Sequence, residues 1–133
     1  MEPTVFKIEI TLAELIDRIT ILEIKMKKAE KIGHPSTKDI ISSYKILTDI
    51  YDEYYNNCDE FQKNYLKRKK TQLSLINTSL WEFENKVRDE HLQSYSDLGE
   101  NAKNIFNFND ERNDIKFEIN QLFDQADTEV KIH

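Results

Sequence analysis

The chain has 133 residues, a formal net charge of −6, one cysteine, two glycines and two prolines. This length fits one domain, and the scarcity of glycine and proline predicts an all-α fold. The acidic balance argues against nucleic acid as a partner, because duplex binding needs a basic face. A single cysteine excludes an internal disulfide and a cysteine-based zinc site.

The sequence carries no targeting or membrane signal. It has no run of about 18 apolar residues, so we expect no membrane span and no membrane partner. The first residues lack the basic region and apolar core of a signal peptide. With the single cysteine, these features predict a cytoplasmic protein.

The two ends of the chain show short strand-like patterns. Residues 5–10, VFKIEI, alternate Phe6, Ile8 and Ile10 with the residues between them, which predicts a short strand. The last residues repeat the pattern weakly at Val130 and Ile132. We expect the two segments to form a β ribbon, within one chain or across a dimer.

The first helix is predicted from Thr11 to about Lys31. Thr11 and Glu14 form a capping-box pattern at its start, and Gly33 provides a left-handed cap at its end. Its main apolar face is opposed by Ile21 and Ile24 on the other side. A helix that is apolar on two sides is either central or meets a second subunit, so we expect a homodimer. The main face comprises Leu12, Leu15, Ile19, Leu22 and Met26.

Two further helices follow the break at His34–Thr37. The second has an apolar face and ends at an Asn56–Asn57 turn. The third is predicted from Asp59 to Gln93 and would be about 50 Å long, which suggests a kink, a projection or a dimer. The core positions are Ile40, Tyr44, Leu47, Tyr51 and Tyr54 on the second helix, and Phe61, Tyr65, Leu73, Ile76, Leu80, Phe83 and Val87 on the third.

A predicted loop, Ser94–Glu100, leads to a last helix over residues 101–123. Its polar residues form one stripe at helical spacing, next to an apolar stripe. A similar polar row flanks the apolar face of the third helix. The rows consist of Asn109, Arg112, Lys116 and Asn120 on the last helix and Asn77, Trp81, Glu84 and Arg88 on the third.

Packing through the apolar stripes would let the two polar rows face each other. We expect Glu84 to meet Arg112 or Lys116, and Asp17 and Thr20 of the first helix to close a third side. One interpretation is a salt-bridge network that fixes helix register. The other is a groove for an anionic or sugar-like ligand, with Arg112 as a bidentate donor.

Other candidate sites are weaker. The pairs Glu14–Asp17 and Glu111–Asp114 place two carboxylates on one helical face, as in all-α nucleotide pyrophosphatases that bind Mg²⁺. The basic run Lys67–Lys70 points all around a helix, which favours a solvated turn over an RNA or phosphate contact. The three histidines have no metal-binding spacing.

Three segments resemble a small uncharacterised bacterial family of unknown function. Members of that family often lie beside, or are fused to, glycosyltransferase or tetratricopeptide-repeat proteins. The resemblance therefore implies a link to surface-polysaccharide assembly. The segments are Ala13–Asp17 with Thr20–Lys25, then Asn77-x-x-Leu80-Trp81-x-x-Glu84-x-x-x-Arg88, then Asn109-Asp110-x-Arg112-x-x-Ile115-Lys116-x-x-Ile119-Asn120.

These observations predict one domain over residues 1–133, a bundle of about four helices with one very long helix. We expect a non-enzymatic binding or accessory module, homodimeric, with a groove for a small anionic or sugar-nucleotide ligand and no cofactor. The alternatives are a Mg²⁺-dependent nucleotide or nucleotide-sugar pyrophosphatase and a structural adaptor with a buried salt-bridge network. The expected ligand-binding residues are Asp17, Thr20, Lys25, Asn77, Trp81, Glu84, Arg88, Asn109, Arg112, Lys116 and Asn120.

Overall fold

The computed structural model describes residues 3–33, 37–88 and 94–123, and the all-α prediction is confirmed for them. They contain no β-strand. None of the helices described carries an apolar stretch long enough to cross a bilayer. The helices are α1 (Leu12–Ile32), α2 (Thr37–Asn56), α3 (Glu60–Arg88) and α4 (Tyr95–Leu122).

The strand expected at residues 5–10 is wrong. These residues precede α1 without regular secondary structure, and Val5, Phe6 and Ile8 are exposed. A strand needs a partner for its backbone hydrogen bonds, and a lone ribbon is marginal even when paired. The expected partner around Val130 and Ile132 lies outside the described residues.

Local signals set both ends of α1 as predicted. The Thr11 hydroxyl accepts a hydrogen bond from the Glu14 backbone N–H at 3.2 Å. Gly33 ends the helix with φ of 63°, a conformation that only glycine adopts without a Cβ penalty. The Glu14 carboxylate accepts from Arg18 and Lys116 instead of completing the capping box.

The turn predicted at Asn56–Asn57 is observed between α2 and α3, and a reciprocal cap at Asp59 and Gln62 starts α3 directly after it. The Asp59 carboxylate accepts from the Gln62 N–H at 2.8 Å, and the Gln62 side chain accepts from the Asp59 N–H at 3.0 Å. Two backbone amides at the start of α3 are therefore satisfied within one turn.

The start of α4 differs from the prediction. Residues 95–100 are helical rather than a loop, because the Ser94 hydroxyl accepts from the Asp97 N–H at 3.2 Å and caps the helix. Gly99 lies inside α4. In the described part of the chain α3 has 29 residues and α4 has 28, so no single very long helix stands out there, and the predicted end of the third helix at Gln93 lies outside the described residues.

The prediction that α1 is central is confirmed, because α1 packs against each of the other three helices. α3 packs along α4 in the opposite direction, from Phe83 beside Phe108 to Tyr65 beside Phe123. Leu66 is fully buried although it lay outside the predicted face of α3, and Phe61, which was expected inside, is exposed. The largest fully buried apolar side chains are Ile16, Ile19, Leu66, Leu73 and Ile119.

Candidate functional site

A buried carboxylate on α1 is the centre of a polar network that joins α1, α3 and α4. Asp17 has no solvent exposure. Its Oδ1 accepts from Arg112 Nε at 3.0 Å, and its Oδ2 accepts from Arg112 Nη2. This fork-to-fork arrangement is the strongest geometry available to an arginine–carboxylate pair. The bond to Asp17 raises the pKa of the Arg112 guanidinium above its ordinary value, although burial acts in the opposite direction.

An amide on α3 completes the contacts around Asp17. Asn77 Nδ2 donates to Asp17 Oδ1 at 2.9 Å and to the Thr20 hydroxyl at 2.8 Å. The Thr20 hydroxyl in turn donates to the Asp17 carbonyl at 2.7 Å. All three residues are buried, so this chain of bonds has little competition from water.

A second ion pair lies one turn away. Lys116 Nζ is 2.7 Å from Glu14 Oε2 and 3.8 Å from Asp17 Oδ2. Glu14 also accepts from Arg18 Nε at 3.0 Å. The network therefore holds two carboxylates, Glu14 and Asp17, and three cations, Arg112 and Lys116 from α4 and Arg18 from α1.

The last polar residue of the α4 row, Asn120, binds the start of α1. Asn120 Oδ1 accepts from the Ala13 backbone N–H at 3.2 Å, so a side chain from α4 caps α1 in addition to Thr11. Asn120 Nδ2 is buried and has no hydrogen-bond partner in the described part of the chain. From Arg112 to Lys116 to Asn120, the α1 partners fall from Asp17 to Glu14 to Ala13. The two helices therefore run in opposite directions.

The structure brings six of the eleven expected site residues into this network. Asp17, Thr20 and Asn77 meet around one carboxylate, and the other three are Arg112, Lys116 and Asn120. Sequence reasoning missed Glu14 as a member, since it assigned Glu14 to a metal site. The spacing of Glu14 and Arg18 is the usual signal of an ion pair along a helix.

The expected pairing of Glu84 with Arg112 is wrong, because Arg112 pairs with Asp17. Glu84 is exposed, and its charge is the weakest of the named influences that raise the pKa of Arg112. Trp81 and Asn109 are half-buried, whereas Lys25 and Arg88 are exposed. None of these five side chains bonds to the network residues in the described part of the chain.

Two lysines of the basic run on α3 form ion pairs with residues of other helices. Lys69 pairs with Glu118 of α4 at 2.5 Å, and Lys70 pairs with Glu23 of α1 at 3.2 Å. Arg68 lies over the ring of Tyr65 at 5.7 Å. The predicted solvated turn is therefore wrong for Lys69 and Lys70, which pair with α4 and α1, respectively.

Two adjoining clefts lie along α2, the smaller where α2 meets the start of α1 and the larger where α2 leads into α3. Both are lined by Ile50 and Tyr54. The smaller, of about 240 Å³, is otherwise lined by Ile10, Thr11, Leu12, Leu15 and Leu47, and the larger, of about 470 Å³, by Glu53, Asn57, Cys58 and Gln62.

The two carboxylate pairs expected to bind Mg²⁺ are either ion-paired within the chain or exposed to solvent. Arg112, Lys116 and Arg18 already hold Glu14 and Asp17. Glu111 and Asp114 are exposed. Among the described residues, no three His, Cys, Asp or Glu side chains are grouped to hold a metal ion. The three histidines all lie outside the described residues.

Comparisons with known proteins place the chain in a family. Neither the curated proteins nor the solved structures give a significant match. The chain matches the family described as a family of unknown function (DUF6165) over residues 6–129, which include all four helices. The resemblance to an uncharacterised family is thereby confirmed at this level, and the chain belongs to DUF6165.

Proposed function

We propose that this protein is a non-enzymatic adaptor whose buried polar network fixes how α1 packs on α3 and α4. The observation that carries this proposal is the closure of the network around Asp17. The Asp17 carboxylate accepts two hydrogen bonds from Arg112 and one from Asn77, so side chains of this protein satisfy it without a ligand. Such networks specify one helix register, because a shift would leave a buried charge unpaired.

The ion pairs of Arg112 and Lys116 favour the adaptor over the ligand groove expected from the sequence. Arg112 and Lys116 each have a carboxylate partner at hydrogen-bond distance. An anionic ligand would have to compete with Asp17 and Glu14 for both cations. It would also leave Asp17 buried without its partner, which costs several kcal/mol.

A ligand-binding module is the second candidate, and one observation favours it. Asn120 Nδ2 is a buried donor without a partner in the described part of the chain, one turn from Lys116. The Arg112 side chain also retains 26% of its exposure. A small ligand with an oxygen acceptor, such as a sugar hydroxyl or a phosphate, could bond to the exposed part of Arg112. A role in surface-polysaccharide assembly is supported by the family resemblance alone.

A metal-dependent hydrolase is the least supported alternative. A magnesium ion at Glu14 and Asp17 would have to displace Arg112 and Lys116 from their carboxylates. The expected sign of this activity is phosphate or pyrophosphate release that requires Mg²⁺ and stops in Asp17→Ala.

Thermal melting separates adaptor from binder. We would compare wild type, Arg112→Gln and Lys116→Gln, each with and without phosphate, nucleotides and nucleotide sugars, with sodium chloride at matched ionic strength as the control. The adaptor predicts that both variants melt lower and that no ligand raises the wild-type melting temperature. A ligand at 100 times its Kd would add about 2.7 kcal/mol to the free energy of unfolding of the wild type. A rise in melting temperature of that origin would overturn the adaptor hypothesis.

A further inference from the structure

The segment before α1 carries apolar side chains that its own protomer leaves uncovered. Val5, Phe6 and Ile8 keep 78%, 82% and 56% of their exposure. Lys7 separates Phe6 from Ile8, so the apolar residues alternate with a charged one. A run of apolar side chains this exposed is unusual on a monomer and marks an interaction surface.

An apolar cleft lies beside this segment. The smaller cleft is lined by Ile10, Leu12 and Leu15 from the segment and α1, and by Leu47, Ile50 and Tyr54 from α2. Ile50 and Tyr54 keep 53% and 40% of their exposure. Because Ile10 lines the cleft and follows Ile8 by two residues, the exposed segment begins next to the cleft.

We propose that a second copy of the chain fills this cleft, with Phe6 and Ile8 of each protomer inserted beside Ile50 and Tyr54 of the other. A two-fold dimer needs one patch that is complementary to itself, and a segment next to a cleft meets that requirement. Because Phe6 and Ile8 are exposed in the single chain, the segment does not fill its own cleft. This surface differs from the one that Ile21 and Ile24 suggested, since both of those side chains are half-buried.

The exposed apolar area is close to what a dimer needs. Large side chains carry on the order of 150 Å² each, so the exposed parts of Val5, Phe6, Ile8, Ile50 and Tyr54 amount to at most roughly 450 Å² per protomer. Two copies could bury up to about 900 Å² of apolar surface, and polar contacts would supply the rest of the ~1,000 Å² total expected of a specific interface. Lys7 on the segment and Glu53 beside Ile50 have opposite charges, which favours their approach at the rim.

The experiment measures molar mass by sedimentation for wild type, Phe6→Asp, Ile50→Asp and the control Phe106→Asp. Phe106 is an exposed phenylalanine on α4 that lines neither cleft. We expect wild type and Phe106→Asp to be dimers at tens of micromolar. Phe6→Asp and Ile50→Asp should each associate roughly tenfold or more weakly, as for loss of an interface hot spot.

Mixing the two weak variants tests the reciprocal contact directly. The Phe6→Asp copy keeps an intact cleft and the Ile50→Asp copy keeps an intact segment, so a mixed dimer regains one of the two contacts. Equimolar mixing should therefore restore part of the dimer. A monomeric wild type, a dimeric Phe6→Asp, or a mixture no stronger than its components would each overturn the proposal. None of these results would bear on the adaptor, which depends on the melting of the network variants.

Discussion

Asp17 and Arg112 lie 95 residues apart in the sequence and form a two-pronged ion pair between α1 and α4. Asp17 is fully buried, whereas Arg112 keeps 26% of its side-chain exposure. The carboxylate therefore depends on the guanidinium more than the reverse. Without Arg112, Asp17 would retain Asn77 as a close donor and Lys116 at 3.8 Å.

Replacing Arg112 should therefore be severe. We expect Arg112→Gln to lower the free energy of unfolding by about 3–5 kcal/mol, because the buried Asp17 carboxylate loses its bidentate partner and keeps only Asn77 at hydrogen-bond distance. Urea unfolding followed by circular dichroism measures this change.

The matched control for that experiment is Arg18→Gln. Arg18 is more exposed, at 41% of its side chain, and pairs with Glu14 on its own helix. Ion pairs at this spacing along one helix contribute about 0.3–0.5 kcal/mol. If Arg112→Gln and Arg18→Gln lower the free energy of unfolding equally, Asp17 is not the centre of the network.

A second prediction concerns the cap that α4 provides to α1. Asn120→Ala removes the acceptor of the buried Ala13 N–H and should cost about 1–3 kcal/mol of unfolding free energy. Asn113→Ala makes the same change at an exposed site of α4 and should stay within about 0.5 kcal/mol. If the two variants unfold at the same urea concentration, the bond from Asn120 does not stabilise α1.

The two glycines should respond to alanine with opposite signs. Gly33 has φ of 63° and open space around its Cβ position, so Gly33→Ala should cost about 1–2 kcal/mol from backbone strain alone. Gly99 lies inside α4, also with open space, and Gly99→Ala should stabilise by about 0.4–1 kcal/mol. Melting temperatures that shift in the same direction would contradict one of the two helix assignments.

The thiol of Cys58 should react slowly at neutral pH. Burial raises its pKa, the nearby Asp59 raises it further, and Lys63 lowers it. Because the thiolate is the nucleophile, alkylation by iodoacetamide should rise only at a pH above the ordinary thiol pKa. Asp59→Asn keeps a capping side chain but removes the charge, so its alkylation curve should move to lower pH. Lys63→Gln should move the curve to higher pH, and a shift of either curve in the other direction would refute this account.

The sequence alone determined the features that depend on neighbours a few residues apart. Thr11, Gly33 and the turn after Asn56 were predicted correctly, because each end is set by a bond or a backbone conformation within one turn. The row of Arg112, Lys116 and Asn120 was also visible, since helical spacing alone places these residues on one face. The capping role of Ser94 was a local signal that was overlooked.

Tertiary structure decided which partners those residues meet. Arg112 bonds to Asp17 and not to Glu84, because α1 packs its buried face against the polar row of α4 while Glu84 faces solvent. Periodicity gives the direction of a side chain around its own helix, but not the placement of one helix against another. That placement results from burying the apolar faces of all four helices together, so it determines whether Asp17 and Arg112 form a closed ion pair or an open site.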